Sequence, residues 1–491
     1  MKIRARLRAL LRARFHARFH AWSVNLLALL LMTAVAVPSN AQSLPNSVLQ
    51  AMRNLNLPVQ DVGVYVVPLG GGQPLLNVNA DEALNPASTM KLLTTYAALS
   101  RLGADYRWKT RVYLRGELRD GVLNGDLIVQ GGGDPKLVIE DLIEIIARMR
   151  EAGLREIAGN LVLDDGVFAL DDRSVEQIDG DSSQPYNVRP HGVLLNFKAT
   201  KFVITPRVDS VDIVLDPPLA DVSIDNEVRI ARGRCRYGAG GLVIRDNGTD
   251  QKPVIKVSGT YSSECGEQNL FAAVLTHRQF AHAFFKAAWL AAGGAWSGKT
   301  RIERGAAQGA SWFEWTSPRT LGEVVLDINK FSNNVMARQV LLQSTAVENQ
   351  SSPTIEDARS FLHRWLGRNG LKFPELYVEN GSGLSRNERI SAEHLARLLI
   401  HMSRSAHADL LRESLPRVGM DGTMKSRLQA EPITGRAWIK TGSLNDVRAI
   451  AGYVDAASGK RYALVMLING PRAERSAPAQ DELLRWVYAN G

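Results

Sequence analysis

The chain has 491 residues, of which 45% are hydrophobic and 22% charged, and a formal net charge of +9. These values exclude a disordered tail, a collagen-like repeat and a small disulfide scaffold, and leave room for two to four domains. Lys2, Arg4, Arg6, Arg8, Arg12, Arg14 and Arg18 supply seven of the positive charges, and no Asp or Glu precedes Asp61. Without them +9 falls to +2, so charge gives no support for a nucleic-acid partner.

The basic stretch 1–23 is followed by an apolar run over 26–37, broken only by Thr33. The run is too short to span a bilayer. Pro38-Ser39-Asn40-Ala41 then places small residues at −3 and −1 of a cut after Ala41. This order predicts a signal peptide over 1–41, a periplasmic protein, and no integral span in the mature chain. The long basic region leaves an uncleaved N-terminal anchor as the alternative. Cys235 and Cys265 are the only cysteines. In an oxidising compartment a disulfide between them is expected, with two separate buried thiols as the alternative. The nine His residues form no HExxH or similar spacing, so neither a metal nor another cofactor is assigned.

Along the chain, 61–67 and 75–79 read as a hairpin turned through Gly70-Gly71-Gly72. Asn85-Pro86-Ala87 leads into a helix over 88–102, with Leu92, Leu93, Tyr96, Ala97 and Leu99 at helical spacing and Gly103 as its stop. From about 105 to 280, turn signals such as Asn124-Gly125 and Asp246-Asn247-Gly248 punctuate β-branched runs, with one helix over 137–152. Helices are predicted next over 281–292, 320–343, 354–368 and 391–403. Strands follow over 447–455 and 461–468, and a closing helix comes after Asp481. Strands at both ends predict one α/β domain, 42–104 plus 282–491, whose sheet both termini complete. Residues 105–281 are then a β-rich insertion.

Three short motifs carry chemistry. Ser88-Thr89-Met90-Lys91 is the only S-x-x-K, and a helix puts both side chains on one face. A partly desolvated Lys can take the proton of a Ser nucleophile. Alone, the motif also fits a helix-capping Ser beside an exposed Lys. Lys440-Thr441-Gly442-Ser443 precedes the closing hairpin. An ammonium and two hydroxyls there suit a substrate carboxylate, and the Gly admits a close backbone. Ser332-Asn333-Asn334 is weak on its own, because other S-x-N sequences occur. It is preferred for its place between the other two, in a helical region.

In the order S-x-x-K, S-x-N, K-T-G, the chain resembles the D-alanyl-D-alanine carboxypeptidase/endopeptidase family, the low-molecular-mass class C penicillin-binding proteins. Gly125-Asp126-Leu127, Gly131-Gly132-Gly133-Asp134-Pro135, Asn380-Gly381-Ser382-Gly383-Leu384-Ser385-Arg386 and Asp421-Gly422-Thr423-Met424 add to the likeness. Asn380 stands where an Asp is common in the family. The resemblance implies a β-lactamase/transpeptidase-like domain, an antiparallel sheet flanked by helices, with a large, mostly β two-domain insertion between Ser88 and Ser332. It implies Ser88 as nucleophile, Lys91 as base, Ser332 and Lys440 as proton relay, and Asn334 orienting the peptide. Thr441, Gly442 and Ser443 would hold the substrate, with Arg386 and Asp164 at a zwitterionic side chain. The implied partners are peptidoglycan peptides, with β-lactam antibiotics as inhibitors. A β-lactamase is disfavoured, because no E-x-x-x-N follows Asn334. A non-catalytic wall-binding or penicillin-sensing protein is disfavoured by intact Ser88, Lys91 and Lys440.

Overall fold

The computed structural model describes residues 43–170, 178–181, 183–236 and 238–491. The leader assigned to 1–41 lies outside them. Five antiparallel strands form the first sheet, in the order Ala437–Leu444, Val447–Asp455, Arg461–Asn469, Val62–Pro68 and Leu76–Val78. The two ends of the chain thus meet within it, Val62 opposite Ile468 and Pro68 opposite Tyr462.

Arg461–Asn469 shows why a sheet covered on both sides reads as an unbroken apolar run. Ala463, Val465 and Leu467 pack on one face with Leu92, Leu93, Val340, Leu395 and Leu399 of the helices Lys91–Leu102, Asn334–Asn349 and Ala392–Met402. The alternate residues Leu464, Met466 and Ile468 pack on the other with Val48, Met52, Leu483 and Val487 of Asn46–Asn54 and Ala477–Asn490. The two-residue period of a strand serves both layers. Each fully buried side chain of this kind contributes about 1.5–3 kcal/mol.

Lys109–Arg119 and Val122–Gly131 form a hairpin through Asp120-Gly121, both at positive φ, as its two-residue turn requires. They belong to a seven-stranded mixed sheet with Glu156–Ile157 and Leu161–Asp164. That sheet also takes Ala295–Trp296, Thr300–Glu303 and Phe313–Thr316. Helix His277–Ala291 buries Phe280, Phe284, Phe285 and Trp289 in the same core as Trp296 and Trp315. The boundary at 281 is therefore corrected to about 317, because these aromatic side chains belong to the insertion's core. Chain entry and exit run side by side, with Ser317 N–H on the Trp108 carbonyl (2.9 Å) and Leu321 N–H on that of Tyr106 (2.8 Å). Two three-stranded sheets complete the insertion, and Cys235 and Cys265 are joined as a disulfide there.

A second correction falls on the helix predicted over 320–343. It is two helices, Leu321–Phe331 and Asn334–Asn349, broken at Ser332. Among the described residues no helix is long and apolar enough to cross a membrane.

Candidate active site

Ser88 lies in a 3₁₀ turn, Ala87–Met90, that runs directly into helix Lys91–Leu102. The turn is held from outside. Asn85 accepts the Ala87 N–H on its side-chain oxygen (2.9 Å) and donates to the Ser385 carbonyl (2.8 Å), while Asn469 accepts the Asn85 N–H (2.7 Å). Ala87 sits at φ +43°, a conformation that costs a non-glycine residue roughly 1–3 kcal/mol and needs such over-determination.

Lys91 is fully buried. Its Nζ donates to Ser88 Oγ at 2.9 Å, to Asn334 Oδ1 at 2.5 Å and to the Ser382 carbonyl. An ammonium has three protons, and here each meets a different segment of the chain. Burial holds the Lys91 pKa well below the usual lysine value. Lys440 and Arg338 push it the same way, and Glu388 opposes them.

The S-x-N break supplies the next two groups. Helix Leu321–Phe331 ends at Ser332 in the left-handed conformation, φ +58°. Asn333 caps the following helix by accepting the Met336 N–H (3.0 Å). The sharp reversal lets Ser332 and Asn334 serve different partners. Asn334 reaches Lys91, while Ser332 Oγ accepts from Lys440 Nζ at 2.9 Å. Lys440 is also fully buried, on strand Ala437–Leu444, and burial lowers its pKa to about 7. Thr441 shares a 2.7 Å hydroxyl–hydroxyl bond with Thr423.

Two glycines make this closeness possible. A Cβ at Gly383, itself at φ +78°, would lie 1.9 Å from the Ala87 carbonyl oxygen and 2.6 Å from Ser88 N. One at Gly442 would lie 2.8 Å from the Pro86 oxygen and 3.0 Å from Ser88 N. Only hydrogen fits between either strand of backbone and the serine turn. The hydroxyls of Ser88 and Ser332 open with Asn334, Thr441 and Ser443 into a cavity of about 630 Å³. Tyr186, Leu384, Thr423, Arg448 and Glu474 line it as well.

The structure thus brings together Ser88, Lys91, Ser332, Asn334, Lys440, Thr441, Gly442 and Ser443. Arg386 lies beside them, its guanidinium 3.8 Å from the Asp446 carboxylate in the turn that follows Leu444. Asp164 is a correction. Its carboxylate is 1% exposed and accepts N–H groups of Gly166 (3.1 Å), Gly305 (2.9 Å) and Ala307 (3.0 Å) inside the insertion. A carboxylate committed to three amides does not face a substrate. Tyr186, Arg448 and Glu474 carried no sequence signal, and Thr423 only its place in the Asp421–Met424 match. Asp165, His191 and His277 form a further cluster in the insertion, which no sequence spacing reveals. The two rings stack 3.6 Å apart at 6°, and His191 bonds the Asp165 carboxylate.

A serine hydroxyl on a buried amine of lowered pKa, with a second hydroxyl on a second such amine, is the arrangement that an activated serine nucleophile requires. The D-Ala-D-Ala carboxypeptidase 3 (S13) family matches residues 44–489, and the chain belongs to that family. The chain is 26% identical over 416 residues to the D-alanyl-D-alanine carboxypeptidase DacB of Haemophilus influenzae, covering 84% of this chain and 85% of that one. It is 27% identical over 440 residues to a D-alanyl-D-alanine carboxypeptidase of an Actinomadura species, covering 86% and 80%. In fold it is similar to penicillin binding protein 4 of Haemophilus influenzae, with a TM-score of 0.77 at 24% identity. That match covers 91% of this chain and all of the other. The same protein has been solved with a β-lactam, and that structure matches with a TM-score of 0.72.

Proposed function

We propose that the protein is a serine-type D-Ala-D-Ala carboxypeptidase and DD-endopeptidase acting on peptidoglycan stem peptides and their cross-links in the periplasm. The observation that carries this reading is the bond from a fully buried Lys91 to Ser88 Oγ at 2.9 Å. With its pKa pushed down by burial, Lys91 reacts as the neutral amine: two N–H groups stay on Asn334 and the Ser382 carbonyl, and the lone pair turned to Ser88 takes its proton as Oγ attacks the carbonyl of the penultimate D-Ala. The C–O bond forms and the carbonyl becomes a tetrahedral oxyanion. The N–H groups of Ser88 and Ser443 would receive that charge, at about 3 kcal/mol per donor.

Collapse of the oxyanion expels the terminal amine, which takes a proton through Ser332, bonded to Lys440 (2.9 Å). A carboxypeptidase releases D-Ala at this step, and an endopeptidase releases the amine of the neighbouring stem. Thr441 and Ser443, with the charge of Lys440, would hold the substrate carboxylate. Asn334 would orient the peptide amide. Water then breaks the acyl ester and restores Ser88. A β-lactam follows the same first half, but its leaving nitrogen stays tethered to the acyl group.

Digestion of purified pentapeptide and cross-linked dimeric muropeptides tests the reading. Release of free D-Ala and of monomers is expected, with both products absent in S88A. Equal product from S88A would remove Ser88 from the reaction. Fast steady turnover of penicillin would instead mark a β-lactamase.

A further inference from the structure

We infer that Glu388 is a positioning residue for Lys91: its buried carboxylate holds the backbone before Ser382 in place and supplies the negative charge that faces the amine. The inference rests on the acyl-transfer reading of the site. Glu388 is fully buried in the loop that carries Ser382 to the cleft. One carboxylate oxygen accepts three successive N–H groups, those of Glu379 (3.2 Å), Asn380 (3.0 Å) and Gly381 (3.0 Å). The next residue in the chain is Ser382, whose carbonyl takes one of the three protons of Lys91. Loss of this anchor would free the acceptor that aims the amine at Ser88.

Burial raises the Glu388 pKa above the usual carboxylate value, while the three N–H groups and the neighbouring Lys91 favour the ionised form. The other oxygen is buried and has no hydrogen-bond partner. A charge on this carboxylate acts on Lys91 through a region of low dielectric. The charges around Lys91 are few. Burial depresses its pKa, and Lys440, from the edge strand Ala437–Leu444, and Arg338, from helix Asn334–Asn349, depress it further. Glu388 alone among these raises it. The other acid of the loop, Glu379, is engaged with Ser385 and Asn387. Glu388 thus keeps the base from losing so much basicity that proton transfer from Ser88 becomes unfavourable.

The test is the pH dependence of the second-order rate constant for acylation by a penicillin, in wild type, E388Q and E388D. The Gln side chain keeps an oxygen for the three N–H groups and removes the charge. The Asp side chain keeps the charge and shortens the reach. In E388Q the acid limb is expected to move down by about one pH unit, a tenfold change in proton concentration, with the melting temperature close to wild type. In E388D the acid limb is expected to stay where it is, with a lower melting temperature and a lower plateau rate. An E388Q limb coincident with wild type, or an E388D limb displaced as far as that of E388Q, would overturn the role in charge. A wild-type protein that takes up no penicillin would overturn the functional reading itself, which separates the two failures.

Discussion

Lys91 donates its three protons to three segments far apart in sequence, so the cleft forms only when all three are in place. At this scale the glycines are as demanding as the reacting groups. The Ala87 carbonyl would sit 1.9 Å from a Cβ on Gly383, a contact that real atoms cannot make. Gly383→Ala must therefore displace the serine turn. We expect acylation by penicillin to slow by about a hundredfold or more, because a misplacement of about 1 Å has that effect on aligned reacting groups. The far-ultraviolet circular dichroism should be unchanged, and a wild-type acylation rate in G383A would show that the turn adapts.

Much of this cleft was legible in residue order. Ser88, Lys91 and Lys440 stand out through the order of the three motifs, not through any motif alone, and Ser332 through its position between the other two. Other residues were not legible, for physical reasons. Glu388 lies among Asn387 and Arg389 in a polar loop, where a carboxylate normally faces water, and only tertiary structure shows the amides that bury it. Asp164 erred the other way. Its sequence setting gave no sign that Gly305 and Ala307, far along the chain, would claim its oxygens. Asn380, where an Asp is common, binds Ser382 and the Leu384 carbonyl, so an amide with both a donor and an acceptor suits that place.

At the scale of elements, the decisive event is the interruption of a helix. Hydrophobic periodicity runs through 320–343, so a pattern argument reads one helix. Ser332 in the left-handed conformation and Asn333 as a cap divide it, and the divided ends face two different lysines. The Asn333 side chain caps the start of the second helix by accepting the Met336 N–H. Asn333→Ala should lower stability by about 1 kcal/mol in denaturant unfolding. It should also reduce the acylation rate, because Asn334 begins the helix it caps. A loss of stability with unchanged acylation would show that Asn334 is held by packing alone.

For the molecule as a whole, the sheet that holds Lys440 closes only when the first and last strands meet, while the insertion has a core of its own. Two predictions separate these parts. Replacement of Cys235 and Cys265 by Ser should cost about 3.6 kcal/mol of stability in the insertion, from the entropy of a loop of this size. Acylation of Ser88 should be unaffected, because the disulfide lies in the insertion and none of the described residues that line the cleft belongs to its loop. The second prediction concerns acid. His191 bonds Asp165 at 2.8 Å and, with His277 and the Val193 N–H, lowers its pKa from 3.8 to about 2 in spite of burial. A depressed carboxylate stabilises the fold above its unfolded pKa, and that contribution is lost as pH falls through the folded one. Asp165→Asn should therefore be less stable than wild type by about 2 kcal/mol near pH 6, with the difference shrinking between pH 4 and pH 2. A gap that stays constant over that range would show that the charge of Asp165 contributes nothing.

The convergence of Ser88, Lys91 and Lys440 in one cleft is tested most directly by intact-protein mass spectrometry after mixing with benzylpenicillin, followed by peptide mapping. A mass gain of one penicillin molecule is expected, located on the peptide containing Ser88 and absent in S88A. An adduct on another residue, or no adduct on a folded protein, would contradict it.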